Sequence, residues 1–169
     1  MKLHKKINNN RGLKVTPEMY RQARGNKVNV IVKMDPYEFI KVTTRKDGVP
    51  SLQNLKTQCK NLEDYNRWAD EGETIIMPML WIDEKDQIVG HEGRHRAASL
   101  ICAGINELPV GIRLYPSEQH QEKYGYFEAV YQVKYEDLPD YIYGQFGNGV
   151  IRKEDMQLMI DGWENIRSS

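Results

Sequence analysis

Gly90-His91-Glu92-Gly93-Arg94-His95-Arg96-Ala97-Ala98-Ser99-Leu100 is the stretch on which the reading of this chain turns. Two histidines, two arginines, a glutamate and two glycines crowd into its first seven residues, and an apolar run follows. Apolar segments lie on both sides: residues 75–82 with Ile88 and Val89 before it, residues 108–114 after it. Charge of this density between core-forming segments marks a site more often than a solvated face. Two incompatible chemistries fit the letters, and the flanking segments choose between them.

Working outward, residues 75–82 are strand-like, with Pro78 arguing for an edge or an irregular start. Asp83-Glu84-Lys85-Asp86 is a polar turn, and residues 87–90 return as a second strand. The hairpin delivers the chain directly into the charged stretch. Apolar positions at Ala97, Ala98, Leu100, Ile101 and Cys102 predict a helix over 94–103, and Gly104 stands where a left-handed C-terminal cap belongs. Residues 108–114 read as another strand. Upstream, Val28, Val30 and Val32 alternate as a strand with one buried face. Asp35-Pro36-Tyr37-Glu38 opens a helix over 36–43, with Asp35 as N-cap and Pro36 at the first helical position. Thr16-Pro17-Glu18-Met19 has the same signature and predicts a short helix stopped by Gly25. Leu55, Cys59, Leu62, Tyr65 and Trp68 recur at helical spacing, so 52–69 is expected to be one amphipathic helix. Residues 126–133 are open between strand and helix, 137–148 read as irregular, and Met156, Met159, Ile160, Trp163 and Ile166 share a face of a final helix starting near Arg152.

The first chemistry is a zinc site. His91-Glu92-Gly93-Arg94-His95 is literally H-E-x-x-H, which on a helix puts both imidazoles on one face with a glutamate beside the metal's water, as in a zinc metalloprotease. Gly90 and Gly93 oppose this, since each mid-helix glycine costs roughly 1 kcal/mol relative to alanine. Arg94 and Arg96 would also crowd a dication. The third ligand would have to come from Glu107, Glu118 or His120, which form no extended signature. Zinc is therefore not expected, and no metal ligand is assigned.

The second is an anion site at a helix start. If Gly93 ends the strand, the backbone amides of the following turn are unpaired and the positive end of the helix dipole faces outward. Arg94, His95 and Arg96 then add charge-assisted donors for a phosphate. The plain structural alternative is a basic helix start whose arginines pair with Asp83, Glu84 or Asp86.

The segment 75–114 resembles the ParB/sulfiredoxin-like superfamily. Its core is a hairpin running into a Gly-x-His-Arg box, then a helix, then a Leu-Pro-Val type strand. Here the box is Gly93-Arg94-His95-Arg96, followed by Ala97, Ala98, Ser99 and, after Gly104, by Leu108-Pro109-Val110. The resemblance implies a mixed α/β fold, a small mixed sheet flanked by helices. It also implies that Gly93, Arg94, His95, Arg96 and Ser99 bind the phosphate of a nucleotide or nucleic acid, with His91 and Glu92 nearest to catalytic work. A nucleoside triphosphate with Mg²⁺ is the implied cofactor, and nuclease or nucleotide-hydrolysing activity the implied reaction class. Members bind CTP or ATP, phosphorylate free serine, or cleave nucleic acid. Sulfiredoxin carries a catalytic cysteine where this chain has Arg94, so its chemistry is not expected. Partition ParB proteins continue into a helix-turn-helix DNA reader, which the acidic, tyrosine-rich segment after Leu114 does not resemble. A non-catalytic phage- or plasmid-type accessory factor, binding DNA or a host protein, is the other class this pattern allows.

Composition bounds the rest. The 169 residues are 40% hydrophobic and 28% charged, ordinary for a globular protein. The expected division is a basic arm with a short helix over 1–27, a core over 28–114, and an extension over 115–169 packed on it and ending in a helix. The net charge of zero hides eight Lys/Arg against one acid in residues 1–27 and five against ten in residues 115–169. No apolar run is long enough to span a bilayer, so no membrane partner is expected. The two cysteines, Cys59 and Cys102, read as reduced buried thiols, and a cytoplasmic location follows. The tyrosine-rich region from Tyr124 to Phe146 is a candidate surface for a protein partner.

Overall fold

The structure, a computed structural model, describes residues 16–22, 28, 30–58, 63–115, 122 and 134–159. Its centre is a five-stranded mixed sheet with the spatial order β5-β4-β6-β2-β9. The strands are β2 (Val30–Met34), β4 (Met79–Ile82), β5 (Ile88–Glu92), β6 (Leu108–Leu114) and β9 (Gln157–Leu158). β4 and β6 run parallel, and every other pair in this sheet is antiparallel. β6, in the middle, begins with five buried residues in a row, as a strand covered on both faces should. Pro109 is tolerated there because amides alternate sides along a strand. The Gly111 amide donates to Pro78 at the very start of the β4 pairing, so the missing Pro109 amide points to the same side before any partner exists.

Among the described residues the helical segments beside the sheet are α1 (Pro36–Val42), α2 (Leu52–Gln58), α3 (Glu63–Glu71) and α4 (Arg94–Cys102). α1, α2 and α3 all pack against α4. Phe39 and Ile40 of α1, and Ala97 and Leu100 of α4, join Val32, Leu80, Val110 and Ile112 of the sheet in one buried core. The chain is thus a mixed α/β protein, as its sequence pattern implies. α1 begins as read: the Asp35 carboxylate accepts from the Tyr37 and Glu38 amides at 2.7 and 3.3 Å. α4 ends as read: Gly104 has φ +77°, and the Ile105 amide reaches back to the Leu100 carbonyl.

Three expectations are corrected. The cap signature at Thr16 yields only a 3-10 turn (Pro17–Met19), followed by β1 (Tyr20–Arg21), which pairs in parallel with β3 (Ile75–Ile76). A cap sets one turn, and no apolar spacing beyond Met19 propagates it. The expected helix over 52–69 is helical over Leu52–Gln58 and Glu63–Glu71, and residues 59–62 lie outside the described residues. The segment 137–148 is not irregular. β7 (Tyr141–Tyr143) and β8 (Val150–Arg152) form an antiparallel hairpin, with Ile142 opposite Ile151 and both buried. The expected final helix is absent over 152–159. A 3-10 turn (Lys153–Asp155) leads into β9, where the Met159 amide donates to the Ile31 carbonyl and so serves the sheet. Residues 1–15, 123–133 and 160–169, which include other parts of these readings, lie outside the described residues. Across the expected boundaries at 27 and 114, β1 joins β3 and β9 lies beside β2.

Cys102 is disulfide-bonded, which overturns the reading of two reduced thiols. The chain's only other cysteine is Cys59, outside the described residues. Sequence spacing does not tell how close the fold brings two distant cysteines. Among the described residues no helix is long and apolar enough to cross a membrane.

Candidate functional site

β5 continues through His91 and Glu92, two residues further than the apolar pattern reaches. Leu80 stands opposite His91 and Met79 opposite Glu92 in the β4–β5 ladder. At Gly93 the backbone swings to φ +111° and ψ 21°, and α4 starts at Arg94. Only glycine takes this backbone conformation without strain. A second reason is packing. A Cβ on Gly93 would lie 2.7 Å from Pro78 Cβ and 2.9 Å from its Cα and Cγ. The space beside this glycine is therefore filled by a buried proline.

His91 and Glu92 thus sit on a strand and His95 in the first turn of a helix. The geometry that H-E-x-x-H needs, two imidazoles on one helical face, does not form. Among the described residues no group of three or more His, Cys, Asp or Glu is placed to hold a metal.

Gly93 has no side chain with which to cap α4, and no side-chain cap bond is made. The first amide of the helix to find a backbone acceptor is that of Ala97, which donates to Gly93 at 3.0 Å. Around these amides lies an open cleft of about 370 Å³ lined by His91, Glu92, Gly93, Arg94, His95 and Arg96. His95 is exposed. Arg94 is also exposed, and its Nη1 donates to Thr44 Oγ1 at 3.2 Å, which orients the guanidinium from α1's C-terminal end. Arg96 differs. Its side chain is only 14% exposed, its Nη2 lies 3.4 Å from Glu92 Oε1, and it also lines a small internal cavity with Tyr20, Tyr65 and Ser99. Its acidic neighbour is Glu92 and not the turn acids Asp83, Glu84 or Asp86. Ser99 is buried, and its hydroxyl donates to the His95 carbonyl at 3.0 Å, one turn below the cleft.

Two residues that no sequence motif marks complete the site. Thr44 orients Arg94, as above. Gln145, from the turn between β7 and β8, holds His91: Nδ1 donates to Gln145 Oε1 at 2.5 Å. The turn is anchored on the C-terminus of α1. The Gln145 amide donates to Val42, and Asn148 Nδ2 reaches the carbonyls of Lys41 and Thr44 at 3.2 and 3.4 Å. These bonds satisfy carbonyls that a helix end leaves open. Gly144 is required there, since a Cβ would lie 1.9 Å from the Asn148 carbonyl oxygen. The Tyr143 amide donates to Asp86, and Gln87 Nε2 to Gly144, which ties the hairpin to the start of β5.

Fold and site together define a mixed α/β protein with a cationic cleft at a strand-to-helix junction, braced by a C-terminal hairpin. No protein-family model, no curated protein sequence and no solved structure matches this chain.

Proposed function

We propose that the cleft binds the phosphate of a nucleotide or nucleic acid, and that the protein is a ParB/sulfiredoxin-like phosphate-binding domain with phosphoester-hydrolysing activity. The observation that carries this is the start of α4: a nine-residue helix whose opening amides have no cap, ringed by Arg94, His95, Arg96 and His91. Backbone donors, two guanidiniums and imidazoles suit phosphate oxygens. The order of hairpin, box, helix and Leu-Pro-Val strand, here β4–β5, residues 93–96, α4 and β6, agrees with the resemblance and supports the same reading. A nucleoside triphosphate fits this donor set. Mg²⁺ takes oxygen ligands, and the cleft lining offers one carboxylate, Glu92, already beside Arg96, so the ion would enter on the phosphates.

The test is a thermal-shift titration with CTP, ATP, other nucleotides and short DNA, with and without Mg²⁺. At least one phosphate ligand is expected to raise the midpoint, and added salt to weaken the effect. Arg94→Glu and His95→Glu, both at exposed positions, are expected to abolish the shift without unfolding the protein. Arg96→Ala is less informative, because the residue is half of a partly buried pair. Binding that survives both charge reversals sinks the assignment.

A second reading has its own observation. Tyr141, Tyr143 and Val150 of the β7–β8 hairpin are exposed, as are Phe146 on its turn and Val89 on β5. Such a surface suits a non-catalytic accessory factor that docks on DNA or a host protein. DNA binding lost on Tyr143→Ala or Phe146→Ala but kept in Arg94→Glu would favour it.

A further inference from the structure

The cleft holds two candidate proton acceptors, His91 and Glu92, and their surroundings separate them. Glu92 faces Arg96 at 3.4 Å, so its charge is engaged by a cation of its own helix start. His91 is held from the opposite direction by a residue 54 positions away.

β5 is the edge strand of the central sheet. Its register against β4 passes from Trp81↔Gly90 to Ile82↔Ile88, leaving Val89 as an extra, unpaired residue. Gln145 Nε2 donates to the carbonyl of that residue at 3.5 Å. With its nitrogen turned to Val89, the amide presents Oε1 to His91 Nδ1. A carboxamide oxygen only accepts, so Nδ1 carries the hydrogen, and in the neutral ring Nε2 carries none. Reversing the carboxamide would set its oxygen against the Val89 carbonyl oxygen, acceptor against acceptor.

We propose that Gln145 is a positioning residue that sets His91 in the Nδ1–H tautomer and makes Nε2 the general base of the cleft. This rests on the phosphate reading above. Water attacks phosphorus, forming a new O–P bond while the P–O bond to the leaving group breaks, its electron pair staying on the leaving oxygen. The water proton passes to Nε2, and the imidazolium returns it to the leaving oxygen.

Two measurements on the full chain test this. The first uses ligand-free protein and long-range ¹H–¹⁵N spectra at about pH 9, well above the ordinary imidazole range. The His91 signals are identified by their loss in His91→Asn. The Nδ1–H pattern is expected in the wild type and in Gln145→Glu, whose carboxylate still accepts from Nδ1. Gln145→Met is expected to move His91 toward the Nε2–H form. A wild-type His91 in the Nε2–H form, or no change in Gln145→Met, overturns the positioning role. The second is hydrolysis of bis(4-nitrophenyl) phosphate with Mg²⁺. Gln145→Met is expected to lower kcat about 10–100-fold at unchanged KM, the usual scale for losing a residue that orients a functional histidine, and Gln145→Glu to recover most of it. Equal kcat in Gln145→Met and wild type overturns the base assignment. Absence of wild-type turnover overturns the hydrolytic reading and the catalytic use of Nε2, while the spectra judge the Gln145 contact independently.

Discussion

Gly93→Ala tests whether the box glycine serves the fold or the ligand. At φ +111° an L-residue is outside its allowed regions, at a cost of roughly 1–2 kcal/mol. The added Cβ would also sit 2.7–2.9 Å from three Pro78 atoms. Pro78 cannot retreat cheaply: it is buried between β3 and β4, and its carbonyl accepts from the Gly111 amide at 2.9 Å. Overpacking of this kind costs about 1–3 kcal/mol, so the substitution should remove about 2–5 kcal/mol in all. That is a large share of the roughly 5–15 kcal/mol that holds a domain together. The assay is urea unfolding, read as a fall in midpoint at unchanged slope. Gly90→Ala is the internal control. It lies three residues earlier on β5, and its Cβ would meet Trp81 Cε3 at an ordinary 3.5 Å. It should stay within about 1 kcal/mol of wild type. If the two variants lose the same stability, the strain and packing argument for Gly93 is wrong. A stable Gly93→Ala that fails only to bind phosphate would mean that the glycine serves the ligand's approach to the backbone and not the fold.

Three further outcomes are expected. Asp35→Ala removes the acceptor of two amides at the start of α1 and should cost about 0.5–2 kcal/mol in the same assay, while Asp35→Asn keeps most of it; equal losses would mean the cap is not the cause. Burial, and then the Asp83 carboxylate, raise the Asp86 carboxyl above its ordinary 3.8. The folded state therefore holds this proton more tightly than the unfolded one, and Asp86 detracts from stability as pH climbs from 3.8 through the raised value. Asp86→Asn, which also suits the φ of +64°, should be the more stable protein at neutral pH, with the advantage shrinking in acid; a variant that is less stable at both ends of the range contradicts this. The Tyr65 hydroxyl has no hydrogen-bond partner among the described residues, and burial pushes its pKa up to about 12. Because the unfolded phenol ionises near its ordinary 10.0, stability should fall as pH passes from that value toward 12, and Tyr65→Phe should show a shallower fall and lie within about 1 kcal/mol of wild type at neutral pH. A Tyr65→Phe variant several kcal/mol weaker would reveal a partner for the hydroxyl.

What could be read from the sequence was what local chemistry decides. Asp35 bonds amides two and three residues ahead, so the start of α1 is visible in four letters. Gly104 caps α4 within the same turn, and the polar run at 83–86 could only be a turn: the Asp83 carboxylate accepts from the Lys85 and Gln87 amides. The misread segments owe their structure to partners far along the chain. β1 is two residues long, too short to show a period, and exists because Ile75 and Ile76 lie beside it. β9 is equally short and is set by β2. The hairpin at 141–152 did carry a signal, buried Ile142 and Ile151 each between exposed neighbours. The glycines of its turn, taken as disorder of pattern, instead allow the tight approach at Gly144 and the positive φ at Gly147 and Gly149.

The same division runs through the site. Gly93, Arg94, His95 and Arg96 belong to one strand-to-helix turn, so the cationic helix start was legible as a unit. Their individual duties were not, because each is set by a distant neighbour. Arg94 is oriented by Thr44, fifty residues away, and Gly93 is demanded by Pro78. Arg96 lines the cleft, pairs with Glu92 there and also borders the cavity beside Tyr65. His91 and Glu92 look equivalent as letters in H-E-x-x-H. The bulge at Val89 breaks that equivalence by freeing a carbonyl that turns Gln145, and with it the imidazole. A glutamine in a glycine- and tyrosine-rich stretch carries no motif. Its role follows from the edge of a sheet, the end of a helix and a histidine meeting at one side chain.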